Sequence, residues 1–163
     1  MTTARTAAAS AARRRTIDAV ATALVPTASR VTRLVLRRAP QRISRSEAGV
    51  LAALTGGPRR ITALAELEGH AQPTITQLVK RMEERGWVAR ERDPADGRVV
   101  LVSLTAAGEA TLEEVRASYR TVLRAHLAAM PDEQIAALVA ATEALAGLVE
   151  SLQLQLPPGD TTR

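Results

Sequence analysis

The hydrophobic period changes at Gly86, and that change constrains this chain more than any other feature. Before the glycine, apolar residues recur at three- and four-residue spacings; after it the composition is that of strands. Ile61 opens a short helical segment with Thr62 as the expected N-cap and Leu64, Ala65 and Leu67 facing inward, and Gly69 ends it. The turn His70-Ala71-Gln72 leads to Pro73, a residue favoured at the first position of a helix. The helix that follows buries Ile75, Leu78, Val79 and Met82 and stops at Gly86. Two short helices joined by a tight turn make a helix-turn-helix unit. Trp87–Arg92 and Arg98–Leu104 are rich in strand formers, and the cluster Asp93-Pro94-Ala95-Asp96-Gly97 between them is made of turn residues. A hairpin with a polar tip directly after a helix-turn-helix is the winged-helix order.

The flanks are helical. Residues 14–39 carry Ile17, Val20, Leu24, Val31 and Leu34 on one stripe, with Pro26 expected to kink or restart the helix and Ala39-Pro40 to close it. Ser44 with Glu47 three positions on forms a capping box for a helix holding Val50, Leu51 and Leu54, ended by Gly56-Gly57-Pro58. Thr105 caps a further helix with Leu112, Val115, Tyr119, Val122 and His126 at heptad-like spacing. Pro131-Asp132-Glu133 starts the last one, where the helix dipole favours carboxylates. Its stripe of Ile135, Leu138, Thr142, Leu145, Val149, Leu152 and Leu156 alternates spacings of three and four, the pattern of a coiled-coil seam. A lone winged helix has no need of two long amphipathic flanks, whereas a dimer does. The expected fold is therefore mainly α, a winged helix-turn-helix lobe with a two-stranded β wing between helices of an intertwined dimerisation region. The expected divisions are a flexible N-terminal tail at 1–13, the dimerisation region at 14–40 and 105–156, the winged lobe at 44–104, and a C-terminal tail at 157–163.

Composition removes whole function classes. With no Cys among 163 residues there is no disulfide, thiol sensor, cysteine nucleophile or cysteine-based zinc site. The two histidines, His70 and His126, stand too far apart in sequence to make a metal cluster, so neither metal nor cofactor is expected. No uncharged run exceeds the eleven residues of Ala19 to Ser29, so no bilayer span is expected. No charged n-region precedes an apolar stretch, and the expected location is cytoplasmic. Thr2 to Arg15 imitates an organellar transit peptide, but a frayed tail in an Ala-rich chain explains it more plainly. Aromatics are limited to Trp87 and Tyr119, so the core and any ligand pocket must be aliphatic. An enzyme fares badly: no G-x-x-x-x-G-K-[ST], G-x-S-x-G or H-E-x-x-H occurs, and pairs such as Glu83-Glu84 and Glu113-Glu114 fall on exposed helix faces. No catalytic residue is expected. Arginine supplies 21 of the 22 basic residues, Lys80 being the exception. Charge is uneven, with a balance of +9 over residues 1–45, zero over 46–98 and −4 over 99–163. A basic front end points to a polyanion partner.

The stretch from Ile61 to Gly108 resembles the MarR family of winged-helix transcriptional regulators. The matching pieces are Ile61-Thr62-Ala63-Leu64-Ala65, Gln72-Pro73-Thr74-Ile75-Thr76-Gln77-Leu78-Val79, Met82-Glu83-Glu84-Arg85-Gly86-Trp87-Val88, Arg90 through Asp93-Pro94-Ala95-Asp96-Gly97-Arg98, and Leu104-Thr105-Ala106-Ala107-Gly108. An Asp-x-Arg wing followed by Leu-Thr-x-x-Gly is specific in combination, while the flanking helices match in length and pattern. The resemblance implies a homodimer that binds a pseudo-palindromic operator in double-stranded DNA, with recognition helices in major grooves and wings in minor grooves. It also implies a small-molecule effector, and the basic rim favours an anion; its binding residues are not legible.

On that reading the recognition helix presents Gln72, Pro73, Thr74, Thr76, Gln77, Lys80 and Arg81. Amide, hydroxyl and guanidinium are the groups of major-groove readout. Gln72, Thr74, Thr76 and Gln77 lie near the helix N-terminus and meet bases or phosphates first; Lys80 and Arg81 fit phosphate. Ala71 departs from the family, where a capping Ser is frequent. In the wing, Arg98 reaches the minor groove by resemblance and Asp96 holds it; the plainer alternative is that the two only tie the hairpin together. Arg90 and Arg92 share a strand face and suit either phosphate contact or simple solvation. Arg59, Arg60 and the arginines from Arg30 to Arg45 are basic rim, solvated or beside the duplex. The rival function is a winged helix turned protein-interaction module; the polar set on the second helix together with Arg98 favours DNA. Arg98→Ala is expected to weaken sequence-specific binding without unfolding the protein, measured by gel shift beside circular dichroism. Unchanged operator affinity would remove the wing from the interface.

Overall fold

The computed structural model describes residues 2–40, 42–93 and 99–155. It resolves into two compact units, Met1–Pro40 and Gln41–Arg163.

The first unit is one helix, α1, from Thr2 to Arg38. Two expectations are corrected here. Residues 2–13, expected as a flexible tail, are helical, and the helix continues through Pro26 instead of restarting there. Both follow from the alanine content: alanine has the highest helix propensity of any residue, and long helical flanks tolerate the single backbone hydrogen bond that Pro26 deletes. Thr16, Thr22 and Thr32 turn their hydroxyls back onto the carbonyls of Ala12, Asp18 and Ala28, so their polar groups are satisfied along the helix itself. The stripe of Ile17, Val20, Val31 and Leu34 is exposed within the single chain.

The second unit comprises α2 (Arg45–Leu54), β1 (Arg59–Arg60), α3 (Ile61–Glu68), α4 (Gln72–Glu84), β2 (Val88–Arg92), β3 (Val100–Leu104), α5 (Ala106–Leu127) and α6 (Asp132–Gln155). The Ser44 capping box forms as expected: the Glu47 amide donates to Ser44 Oγ at 3.2 Å, and the Ser44 amide donates to Glu47 Oε2 at 2.7 Å. One core joins α2, α3, α4, the sheet and the first half of α5, built from aliphatic side chains such as Val50, Leu51, Leu64, Ile75, Val79, Met82, Val102 and Leu112, with Trp87 and Tyr119 packed at its margin.

The β2–β3 hairpin forms the expected two-stranded wing, and a third, unexpected strand joins its sheet. β1 pairs antiparallel with β3 (Arg59 opposite Val102, Arg60 opposite Leu101), on the far side from β2, giving the order β1-β3-β2. Two consecutive arginines carry no strand periodicity, so β1 is set by tertiary context: Arg59 Nε donates to the Ala53 carbonyl at 2.8 Å and fixes the segment beside α2. The cap of α3 also moves. Arg60, not Thr62, is its N-cap, and it makes no side-chain cap bond. Leu67, expected inward, is 52% exposed, because an eight-residue helix packed through Leu64 and Ala65 turns that position to solvent.

The junction between the sheet and α5 is tight. Thr105 Oγ donates to the Gly86 carbonyl at 2.6 Å and accepts from the Gly108 amide at 3.1 Å, while its own amide donates to the Trp87 carbonyl. A Cβ on Gly108 would overlap that Trp87 oxygen and meet Leu104 Cδ1 at 2.8 Å. The Leu-Thr-x-x-Gly stretch is thus a clamp that seats the first turn of α5 on the base of the hairpin. Gly86, at φ 73°, supplies the left-handed residue that ends α4.

α6 is largely uncovered: Leu138, Val139, Leu148, Val149 and Leu152 are exposed, Leu152 by 55%. The last member of its stripe, Leu156, and the tail at 157–163 lie outside the described residues. Ser10–Arg38 and Asp132–Leu152 reach mean hydropathies of 1.2 and 1.7 and are long and apolar enough to cross a membrane by length and composition. Counting uncharged runs misses this, since scattered single charges scarcely lower the average over 18 residues. Gly108→Ala is expected to lower unfolding free energy by about 2–4 kcal/mol in urea titration, because rigid backbone opposes the added methyl. A loss under about 0.5 kcal/mol would show that the α5 junction yields easily.

Candidate nucleic-acid interface

α4 divides cleanly into two faces. Ile75, Leu78, Val79 and Met82 are buried in the core, which leaves Gln72, Pro73, Thr74, Gln77, Lys80 and Arg81 exposed and Thr76 half-buried. Gln72 is the first helical residue and Pro73 the second, so the helix starts one position earlier than the expected start at Pro73. Ala71 is the N-cap and supplies no side-chain bond, as its methyl dictates, and its carbonyl takes the amides of Thr74 and Ile75 at 2.9 and 3.2 Å. Thr76 Oγ donates to the Gln72 carbonyl at 2.9 Å, so toward a ligand this hydroxyl is left as an acceptor. Lys80 and Arg81 make no ion pair among the described residues.

The hairpin brings Arg90 and Arg92 into β2 as neighbours on one strand face. They differ in one respect. Arg90 Nε donates to Glu83 Oε2 on α4 at 2.7 Å, whereas Arg92 has no ion-pair partner among the described residues. The Asp93 amide donates to the Val99 carbonyl, and Asp96 and Arg98 of the wing tip lie outside the described residues.

Behind α4 stands a group that sequence patterning misses. Glu47, 6% exposed, spends one carboxylate oxygen on the capping box and gives the other to Arg85 Nη1 at 2.9 Å. The Arg85 guanidinium in turn sits 4.8 Å from the centroid of the Trp87 ring. Glu47 is visible in sequence as a capping-box member, but nothing there marks Arg85 as its second partner, because their contact spans 38 positions. His70, in the turn, is exposed and shares a hydrogen bond of 3.2 Å with Ser46 Oγ. Beside it opens a depression of about 400 Å³ lined by Thr62, Ala65, Glu66, Gly69, His70 and Gln72. Partial burial pushes the neighbouring Glu68 carboxyl above its usual range, and the charge of His70 pulls it partly back.

Comparison with known proteins agrees with this geometry. Residues 43–99 match the MarR family model. A solved MarR family protein from Bacillus stearothermophilus superposes with a TM-score of 0.62 at 28% identity, covering 86% of this chain and 97% of that one. The stretch 43–99 of this chain is of the MarR family. Among curated MarR-like relatives, the uncharacterized HTH-type transcriptional regulator YsmB of Bacillus subtilis is 38% identical over 76 residues, 45% of this chain and 52% of YsmB. The match therefore spans about half the length of that relative. The HTH-type transcriptional repressor MdtR of Bacillus subtilis is 27% identical over 116 residues, covering 71% of this chain and 75% of MdtR. These relatives are transcriptional regulators, not enzymes. The winged-helix order read from the period change at Gly86 is thus the family's own.

Glu68 yields a prediction. Its folded-state pKa is raised, so its ionised form opposes folding: the group's contribution is fully present below the usual 4.5 and is lost as pH rises through the raised value. Glu68→Gln is therefore expected to raise the melting temperature at pH 7, with the gain closing as pH falls below 4.5. Melting curves across that range check it; a gain that persists at pH 3 would assign the effect to packing.

Proposed function

We propose that this chain is a homodimeric repressor that binds a pseudo-palindromic operator in duplex DNA and is released by a small anionic effector. The observation that carries the reading is the division of α4: an apolar face sunk in the core, and a polar face of Gln72, Thr74, Thr76, Gln77, Lys80 and Arg81 turned outward from it. On this reading Gln72, Thr74, Thr76 and Gln77 read base edges in the major groove while Pro73 fixes how the helix begins. Lys80, Arg81 and Arg92 take phosphates, and Arg98, steadied by Asp96, enters the minor groove. Repression is supported by the name of the relative MdtR and acts by excluding polymerase from a promoter.

Dimerisation is supported by the uncovered stripes of α1 and α6. Both follow heptad-like spacing, which a second copy of the chain covers with complementary knobs and holes. The domain reading follows: the lobe at 44–104 binds DNA, and residues 14–40 with 105–156 join the two copies. A regulator of this kind works in the cytoplasm, where the DNA is. The effector must bind the released and bound conformations with different affinity, since equal affinity shifts nothing. The basic rim favours an anion for that role.

The test is a gel-shift titration against duplex from upstream of the protein's own gene, with unrelated duplex of equal length at the same salt. Preferential binding to the upstream fragment is the expected result, with affinity falling at a log–log salt slope of roughly −7 for about eight phosphates neutralised per dimer. A flat salt profile, or no binding to either duplex at low salt, would transfer the reading to a protein-interaction module.

A further inference from the structure

Glu83 is a misplaced charge. It sits in the last turn of α4, where the helix dipole disfavours an anion, and it belongs to the helix whose outer face meets phosphates on the reading above. Both repulsions are cancelled by one contact, the ion pair with Arg90 across from α4 to β2, where Arg90 Nε and Nη2 each lie 2.7 Å from Glu83 Oε2. The two side chains are about one-third exposed, so the pair is reachable from solvent and open to competition by another anion.

The geometry points to Glu83 as a specificity filter: it holds Arg90 in an ion pair that a phosphate must displace, and so withholds one cation per subunit from loose association with any duplex. This rests on the DNA-binding reading. Non-specific binding is supplied by Lys and Arg side chains that neutralise phosphates, and it is blind to sequence. Specificity is the ratio of operator affinity to that background. An arginine already neutralised inside the protein adds little to the background, because the phosphate gains only what the carboxylate gives up. Arg92 supplies the built-in comparison: it occupies the same strand face two residues on, with no carboxylate among the described residues holding it.

Four variants test this, Glu83→Gln, Arg90→Gln, Arg92→Gln and Glu83→Gln/Arg90→Gln, each titrated against operator and unrelated duplex over a salt series. Dimer mass and unfolding midpoint are recorded alongside. Glu83→Gln is expected to bind unrelated duplex several-fold more tightly, to steepen its salt slope by roughly 0.9 per subunit, and to lower the specificity ratio. That gain is expected to vanish in the double variant, which no longer has an Arg90 to release. Arg92→Gln is expected to flatten the slope by roughly the amount that Glu83→Gln adds, and Arg90→Gln, which leaves Glu83 unpaired, to weaken binding to both duplexes. The inference is overturned if Glu83→Gln weakens binding to both duplexes, which would make the pair a brace that presents Arg90, or if its gain survives in the double variant. If wild type prefers its operator while Glu83→Gln matches it throughout, this inference alone fails. If wild type binds no duplex, the DNA reading fails and this one with it.

Discussion

The Glu47 carboxylate is nearly out of water, and an ionised group so placed must be met on every side by donors. Its two oxygens are divided between the backbone that starts α2 and the guanidinium that ends α4. Arg85 then stacks on Trp87, whose carbonyl takes the Thr105 amide and lies against Gly108 at the start of α5. One buried charge therefore links α2, the end of α4, the base of the hairpin and the first turn of α5. The aliphatic core supplies the bulk of the burial, but a core of Leu, Val and Ile is tolerant of small slides between elements. Directional bonds through Glu47, Arg85 and Thr105 remove that freedom at the end of α4 and the start of α5.

Sequence alone reveals much of this. Capping chemistry and glycine stops locate α2, α4 and α5 almost to the residue, because Ser44, Thr105 and Gly86 act on their immediate neighbours. The polar face of α4 is equally legible, being what remains once Ile75, Leu78, Val79 and Met82 are assigned to the core. What escapes is non-local. β1 is two arginines that become a strand only because β3 offers an edge, and the Glu47–Arg85 and Glu83–Arg90 pairs join positions that no periodicity relates. Leu67 and Thr62 fail for another reason: on a helix as short as α3, one turn decides which side is inward, and the packing of Leu64 and Ala65 settles that choice.

The acidic residues and the arginines are best understood together. Arg42, Arg85, Arg90 and Arg120 each have a carboxylate partner, whereas Lys80, Arg81 and Arg92 at the candidate interface have none among the described residues. Cations left without internal partners are the ones able to release counterions from a polyanion. The family's architecture thus coexists in this chain with a selective distribution of pairing, in which charge is withheld in some places and left available in others.

The Thr105–Gly108 clamp has a mechanical meaning. α5 spans 22 residues, about 33 Å of rod, and its first turn meets the hairpin through the Thr105 hydroxyl and the close approach of Gly108 to the Trp87 carbonyl. A tilt of about 5° at that pivot displaces the far end by roughly 3 Å, and displacement of the far end turns the hairpin by the same angle. A load on α5 therefore meets the base of the hairpin directly at that junction.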